Sequence, residues 1–217
     1  QLFRTAGAAA SGRSRSLRAS GLAAARTLVR LAATSAAGTI PTDATAPQAQ
    51  TIVDSVMNLG LLTWATRVTG DAAYATLARR HATLVRALLL RADGSTIQAA
   101  DHDRATGALL GLHTRQGLAD SSTWSRGQAW AIYGLADVGR DLRDADLVGA
   151  AEHAADFWVR TAPAGRLPPY DFSAAPGAPR DSSAAAIAAA GMYRLSLACR
   201  SVPGACATAT RWTAAGG

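Results

Sequence analysis

The chain has 217 residues, of which 49% are hydrophobic and 17% charged, a composition typical of a folded globular domain and not of a disordered one. No apolar stretch approaches the roughly 20 residues that a membrane span needs, so we expect no membrane partner. The net charge is +7 and all 22 basic residues are arginine, an excess that nucleic acid, an acidic polymer or an acidic sugar could each exploit. Much of it lies in the first thirty residues, where aromatic side chains are almost absent. We therefore expect a solvated helix face there and no nucleic-acid partner.

In chain order, the sequence predicts one helical domain over residues 1–217, with a poorly ordered basic segment at 1–20 and a tail at 199–217. Helices are expected over residues 16–34, 48–68, 71–90, 126–140, 145–160 and 181–197. Gly70 suits a left-handed position after a helix, and Asp71 can cap the helix that follows. Residues 91–122 form a long excursion with strand-like character near 95–100. A loop of that length is usually functional or disordered.

The predicted helices alternate in character. Those at 48–68, 126–138 and 181–197 are apolar nearly all round, whereas those at 71–90 and 145–160 carry a polar face. Because an all-round apolar helix is buried on both sides, the first set belongs inside and the second outside. This alternation predicts an all-α fold, a double-layered toroid of helices of which about half is present.

Asp54 interrupts an apolar stretch, with Ile52 and Met57 on either side and Asn58 four residues on. Two interpretations remain open for this carboxyl group. It could be a first-turn acid that interacts with the helix dipole. Alternatively, it could point into a cavity whose apolar walls raise its pKa until it can donate a proton.

The stretch TWSRGQAWAIYGLA places bulky hydrogen-bonding residues at the head of an apolar helix. Ser125 and Gln128 fit a capping box, which is a structural role. Trp124 and Arg126 have no such explanation, and Trp130 could equally pack in the core. Indole rings beside a guanidinium suit a sugar acid, because the rings stack on the pyranose and the arginine pairs with the carboxylate.

The remaining polar candidates have simpler interpretations. Asp181 is competent to cap the last helix. The segment 170–172, Tyr-Asp-Phe, could be the rim of a pocket or an ordinary turn. His102 and His113 lie on predicted loops without a convincing partner and are expected at the surface.

The two cysteines flank a Pro-Gly pair near the C-terminus. Cys199 and Cys206 could close a short disulfide loop in an oxidising compartment. The four histidines show no metal-binding spacing.

Five stretches occur in an order that resembles the unsaturated glucuronyl hydrolases, glycoside hydrolase family 88: DSVMNLGLLTWATRVTGDAAY, DGSTIQAADHDRATG, RQGLADSSTWSRGQAWAIYGLA, PPYDF and PRDSSAAAIAAAG. The resemblance covers about residues 20–198, and its RGQAW block is fairly specific, since the sister unsaturated rhamnogalacturonyl hydrolases read closer to RGNGW. It implies an (α/α)6 six-hairpin toroid, in agreement with the helix alternation.

The resemblance also implies a reaction and a set of site residues. Polysaccharide lyases leave a 4,5-unsaturated uronic acid at the non-reducing end of an oligosaccharide, and this family removes it by hydrating the vinyl ether. Asp54 matches the general acid/base, while Gln116, Trp124, Arg126 and Trp130 match residues of the subsite for the unsaturated sugar. Gln98, which stands where the family commonly has a histidine, is counted among the substrate-binding residues. No metal or organic cofactor is implied.

Three departures from the family pattern limit these expectations. No Asp-His-His-Asp-like stretch with the family's second essential aspartate is found, and the first hairpins and the C-terminal helices are also missing, so we expect a partial chain. Arg115 and Tyr170 replace a histidine and a tryptophan. The alternative is therefore a catalytically inactive carbohydrate-binding or scaffold remnant, with an arginine-rich nucleic-acid binder as a weaker third hypothesis.

Overall fold

A computed structural model of the chain describes residues 12–165 and 167–206, together with Trp212. Its elements are, in chain order, α1 (Gly12–Ala32), β1 (Gln48–Ile52), a 3₁₀ helix (Val53–Asn58), α2 (Leu59–Thr69), α3 (Ala72–Leu89), β2 (Ala99–Asp103), β3 (Leu109–His113), α4 (Ser125–Leu142), α5 (Ala145–Thr161) and α6 (Ser182–Ser201). None of the described helices is long and apolar enough to cross a membrane.

The helices pack in two layers. α2 and α3 form one hairpin and α4 and α5 a second, so that α2, α4 and α6 lie side by side while α3 and α5 pack outside them. The central helix α4 approaches α6 very closely at Gly191, where the lack of a side chain leaves room. A Cβ there would lie only 2.9 Å from the backbone nitrogen of Tyr133. The predicted alternation of inner and outer helices, part of an α/α toroid, is confirmed.

Local signals set the helix boundaries as the sequence predicted. Gly70 ends α2 in the left-handed conformation, with φ of 78°. The Asp71 side chain accepts a hydrogen bond from the Ala73 N–H at 2.9 Å and caps α3. Asp181 caps α6 in the same way, through the Ala184 N–H at 2.9 Å. Each cap satisfies a backbone donor that has no partner within its own helix.

The predicted helix over 48–68 is wrong in its first half. Gln48–Ile52 is strand β1, and Val53–Asn58 is a 3₁₀ helix before α2 begins at Leu59. The physical reason is tertiary: β1 pairs antiparallel with β2, from Gln48 opposite Asp103 to Ile52 opposite Ala99, so its backbone groups are satisfied across the sheet. The β-branched run from Thr51 to Val53 also favours the extended form.

The long excursion is ordered as a β-hairpin. β2 pairs antiparallel with β3, which completes a three-stranded sheet in the order β1-β2-β3. The surface placement expected for the two histidines is wrong. His102 is 2% exposed, and its Nδ1 lies 3.3 Å from the carbonyl of Gly107. His113 is half-buried, with Nε2 3.0 Å from Oδ2 of Asp101. Strand pairing, invisible in the local sequence, turns both rings toward the protein.

The ends of the described chain are tied to the helices. Residues 12–20, expected to be poorly ordered, are the first turns of α1, whereas residues 1–11 lie outside the described residues. At the other end, Cys199 and Cys206 form a disulfide, as the sequence allowed. Trp212 is fully buried, and its indole nitrogen donates to Oε1 of Glu152 at 3.2 Å. Part of the expected tail therefore packs against α5.

Candidate active site

Asp54 lies in the first turn of the 3₁₀ helix, between the buried residues Val53 and Ser55. Its Oδ2 atom is shielded from solvent and has no hydrogen-bond partner among the described residues. Burial raises the pKa of Asp54 above its ordinary value, against the opposing effects of its own backbone N–H and the positive charge of Arg126. A raised pKa keeps a carboxyl group protonated to a higher pH than an exposed aspartate, as a proton donor requires.

A largely apolar cavity of about 410 Å³ borders Asp54. It lies between α1, the segment 40–42 and the 3₁₀ helix, and it is lined by Leu28, Leu31, Ile40, Pro41, Thr42, Ile52, Asp54, Ser55 and Asn58. Its size falls within the range of small-ligand sites. Trp124 and Arg126 are not among these lining residues.

Two glycines bring the turn of Asp54 against α4. A Cβ on Gly134 would lie 2.2 Å from Cγ2 of Val56, and a Cβ on Gly127 would lie 3.2 Å from Cγ1 of Val53. The same position on Gly127 is 2.9 Å from Cε3 of Trp124. The missing side chains therefore allow the 3₁₀ helix, the indole ring and the first turns of α4 to meet.

Trp124 and Arg126 form one unit at the start of α4. Trp124 is the residue before the first helical turn and is 4% exposed. The Arg126 guanidinium carbon lies 4.9 Å from the centre of its ring, a cation–π contact. Nη1 of Arg126 also donates to Oγ of Ser183 at 2.9 Å and lies 3.6 Å from Oδ2 of Asp181. Trp130 is half-buried one turn further along, on the same helix face as Arg126.

Gln98 links the turn of Asp54 to the loop that carries Gln116. Its carbonyl accepts from the Val53 N–H at 2.8 Å, and its side-chain Nε2 donates to Oε1 of Gln116 at 2.6 Å. Its Oε1 accepts from the backbone N–H groups of Arg115 and Gln116 and from the hydroxyl of Thr114. Gln98 is buried and Gln116 exposed. Gln98 thus supports the loop, and Gln116 presents its side chain to solvent.

The expected capping box at Ser125 and Gln128 is wrong. Oγ of Ser125 donates to the carbonyl of Tyr170 at 3.1 Å. Gln128 is fully buried, and its Nε2 donates to the carbonyls of Gly94 at 2.7 Å and Ala154 at 2.9 Å. Long-range acceptors replace the local cap, because α4 is covered on several sides and its polar side chains must find partners there.

Comparison with known proteins reveals relatives of one kind, although no protein-family model matches the chain. The unsaturated glucuronyl hydrolase of Bacillus sp. (strain GL1) is 40% identical over 146 residues, which are 66% of this chain and 39% of that protein. The unsaturated glucuronyl hydrolase of Formosa agariphila is 36% identical over 148 residues, which are 66% of this chain and 37% of that protein. The unsaturated chondroitin disaccharide hydrolase of Streptococcus agalactiae is 33% identical over 146 residues, which are 66% of this chain and 37% of that protein.

Solved structures give the same result for the fold. The crystal structure of the Bacillus sp. GL1 unsaturated glucuronyl hydrolase superposes with a TM-score of 0.82 at 34% identity, covering 95% of this chain and 54% of that one. A structure of an unsaturated glucuronyl hydrolase (UGL) with dGlcA-Glc-Rha-Glc superposes with a TM-score of 0.83 at 34% identity. The match covers 94% of this chain and 55% of that one. The chain is similar in sequence and in fold to the unsaturated glucuronyl hydrolases. It spans about half the length of these solved proteins.

Two further residues that were not among the predicted site residues, Arg91 and Asp171, organise this site. Arg91 donates to the carbonyls of Ser121 and Ser122 at 3.0 and 3.1 Å and to Oγ1 of Thr123 at 3.1 Å. Asp171, fully buried, accepts from Oγ of Ser122 at 2.6 Å. Together they fix the segment that leads into Trp124. The PPYDF motif was a sequence signal for Asp171. Arg91, which follows three leucines, has no neighbouring residues that indicate its role.

The side chains around Asp54 suit a sugar better than a metal ion. They offer amides, hydroxyls and a guanidinium, which pair with the hydroxyl groups and carboxylate of a uronic acid. Elsewhere in the described part of the chain, Glu152, Cys199 and Cys206 bring three potential metal ligands together. The two sulfurs are joined in the disulfide and so are not thiolate ligands. This group also lies at the opposite end of α6 from Ser183.

Proposed function

We propose that this chain is a hydrolase that removes a 4,5-unsaturated uronic acid from the non-reducing end of lyase-generated oligosaccharides, with Asp54 as the general acid/base. The observation that carries the proposal is the buried, unpartnered Oδ2 of Asp54, whose pKa is raised by burial beside the Arg126 unit. Similarity to the unsaturated glucuronyl hydrolases supports the reaction class, and a solved relative with dGlcA-Glc-Rha-Glc supports an oligosaccharide as partner.

The proposed reaction consumes one water molecule. Protonated Asp54 donates its proton to C4 of the C4=C5 bond, which leaves positive charge shared by C5 and the ring oxygen. Water adds at C5, and the Asp54 carboxylate takes up the proton that the water loses. The resulting hemiketal opens to a ketone at C5, and the hemiacetal formed at C1 collapses to an aldehyde and releases the remaining sugar. The aspartate thus ends the cycle protonated, as it began.

The other site residues would hold the unsaturated sugar. Arg126 has five N–H donors, and the described contacts engage Nη1, so further donors can pair with the uronate carboxylate. The exposed Gln116 amide and the half-buried Trp130 ring would contact the sugar directly. Gln98 would support Gln116 from below. Trp124 would act chiefly by holding Arg126, since its ring is almost fully covered.

The decisive experiment follows turnover of unsaturated chondroitin, heparin and gellan disaccharides by the loss of their vinyl-ether absorbance. Asp54→Asn is expected to lower kcat by about a hundredfold or more, the usual contribution of a general acid, with folding retained. Asp71→Asn is the matched control, because it makes the same chemical change at an exposed cap where asparagine serves equally well. Near-normal turnover by Asp54→Asn would contradict the assignment.

Trp124→Ala tests the binding part of the proposal. Loss of the ring frees Arg126 from its cation–π contact, so KM is expected to rise and kcat to fall together. Unchanged kinetic constants would place the Trp124–Arg126 unit outside the substrate site.

Carbohydrate binding without turnover is the second candidate. It needs only the Trp124–Arg126 unit and the exposed Gln116 amide, without proton transfer from Asp54. Calorimetric binding of the unsaturated disaccharides, with no loss of absorbance over hours, would support this candidate over the hydrolase.

A further inference from the structure

His81 is a buried imidazole on α3, directly behind the turn that carries Asp54. The ring is 0% exposed. Its Nδ1 lies 3.1 Å from the backbone nitrogen of Ile40, and its Nε2 lies 2.6 Å from Oγ of Ser55. Burial lowers the pKa of His81 to about 4, so the ring is neutral near pH 7.

The hydrogen-bond partners decide which nitrogen carries the proton. The Ile40 N–H can only donate, so Nδ1 of His81 must be the acceptor. The single proton of the neutral ring is then on Nε2, which donates to Oγ of Ser55. Oγ of Ser55 donates in turn to the carbonyl of Ile52 at 2.5 Å. A directed chain of hydrogen bonds therefore runs from α3 to the first turn of the 3₁₀ helix.

The direction of these hydrogen bonds excludes a role for Ser55 as a nucleophile that His81 activates. A serine 2.6 Å from a histidine, lining a cavity, looks like a nucleophile with its general base. A base must accept the serine proton, but Nε2 of His81 already carries a proton and Nδ1 is occupied by Ile40. The pair is therefore arranged to hold Ser55 in place and not to activate it.

The chain of hydrogen bonds ends on the walls of the Asp54 cavity. Ile40, Ile52 and Ser55, the three groups joined through His81, all line that cavity together with Asp54. Because Asp54 lies between Ile52 and Ser55 in the sequence, the ring fixes both the backbone that carries the carboxyl group and the cavity wall at Ile40.

We infer that His81 is a positioning residue for Asp54, acting through Ser55 and the backbone of Ile52. The inference deepens the proposed function, because it rests on Asp54 as the acid. His81 does not line the cavity with Asp54 and Ser55. Its role is to hold the Asp54 carboxyl group in position to donate a proton to the C4 atom of the unsaturated sugar.

The test compares two substitutions of His81 in the 217-residue chain. His81→Leu removes both hydrogen bonds, whereas His81→Gln can still donate to Ser55. His81→Leu is expected to lower kcat by about tenfold or more, because a shift of about one ångström in a reacting group is this costly. KM should change by less than about twofold, and His81→Gln should recover kcat to within about threefold. Val85→Ala, a buried residue one turn along the same helix, is the control for lost stability.

A second readout does not depend on turnover. Carbon-13 NMR of the aspartate carboxyl groups, with the Asp54 signal assigned from Asp54→Asn, reports the titration of Asp54 itself. His81→Leu and Ser55→Ala are both expected to move that titration, and Val85→Ala is expected to leave it unchanged. Should His81→Leu fail to fold, Ser55→Ala carries the same test, because it removes the acceptor of the His81 Nε2–H.

The outcomes separate this inference from the proposed function. Full turnover by Asp54→Asn would end the role of Asp54 as acid, yet the NMR titration would still show whether His81 sets the environment of that carboxyl group. An unchanged Asp54 titration in both His81→Leu and Ser55→Ala overturns the inference. A fall in kcat that Val85→Ala matches at equal loss of stability overturns it as well.

Discussion

The close approach of the 3₁₀ helix to α4 gives a quantitative prediction for Gly134→Ala. A Cβ at Gly134 would lie 2.2 Å from Cγ2, 2.7 Å from Cβ and 2.9 Å from the carbonyl carbon of Val56. Ordinary carbon–carbon contacts are about 3.5–4.0 Å, so the first distance is short by about 1.3–1.8 Å. One of the opposed atoms is backbone, and relief therefore requires the 3₁₀ helix itself to move.

The magnitude follows from two opposing effects. Replacing glycine by alanine inside a helix stabilises it by about 1 kcal/mol. Overpacking a core usually costs about 1–3 kcal/mol, and the upper end applies here because backbone must shift. We therefore expect Gly134→Ala to lower the free energy of unfolding by about 2 kcal/mol. The same displacement moves Asp54, two residues before Val56, so turnover should fall by up to about a hundredfold.

Gly149→Ala is the matched control. It makes the same change inside α5, where the nearest atom to a new Cβ is the carbonyl oxygen of Ala205 at 3.6 Å, an ordinary contact. This variant should gain up to about 1 kcal/mol from helix propensity alone. Urea unfolding followed by circular dichroism measures both free energies, with an unchanged m-value as the test of two-state behaviour. Equal stability of the two variants would refute the predicted packing of the 3₁₀ helix on α4.

Three further predictions concern the site and its support. Because burial raises the pKa of Asp54, the native state binds more protons than the unfolded state between the two pKa values, and stability falls as pH rises through that window. Asp54→Asn should therefore be more stable than wild type at about pH 8 and no more stable at about pH 3, below the unfolded pKa; an equal difference at both would contradict the raised pKa. Gln98→Leu should speed amide hydrogen exchange in residues 114–117 and leave α5 unchanged, because its amide holds that loop; unaltered exchange would show that the loop is held otherwise. Reducing the Cys199–Cys206 disulfide should lower the free energy of unfolding by about 2 kcal/mol for so short a loop, measured as a shift in the urea midpoint; no shift would show that the bond contributes no stability.

The parts of this protein that are decided within one helical turn could be predicted from the sequence. Gly70 and Asp71 set the boundary between α2 and α3, and Asp181 caps α6, because each acts on backbone groups two or three residues away. The alternation of apolar and amphipathic helices likewise predicted the two layers, since a helix reveals the number of its buried faces in its own sequence. The candidate site residues came from a resemblance and from unusual residue types at a helix start.

What the tertiary structure alone decided involves partners that are distant in the chain. β1 is a strand because β2 supplies its hydrogen bonds. Gln128 does not form the predicted capping box, because the carbonyls of Gly94 and Ala154 accept its side-chain hydrogen bonds in the protein interior. His81 gave no signal, although its contacts with Ile40 and Ser55 shape the surroundings of Asp54. Buried polar groups must find partners wherever the fold places them, so their roles depend on packing between elements and not on neighbouring residues.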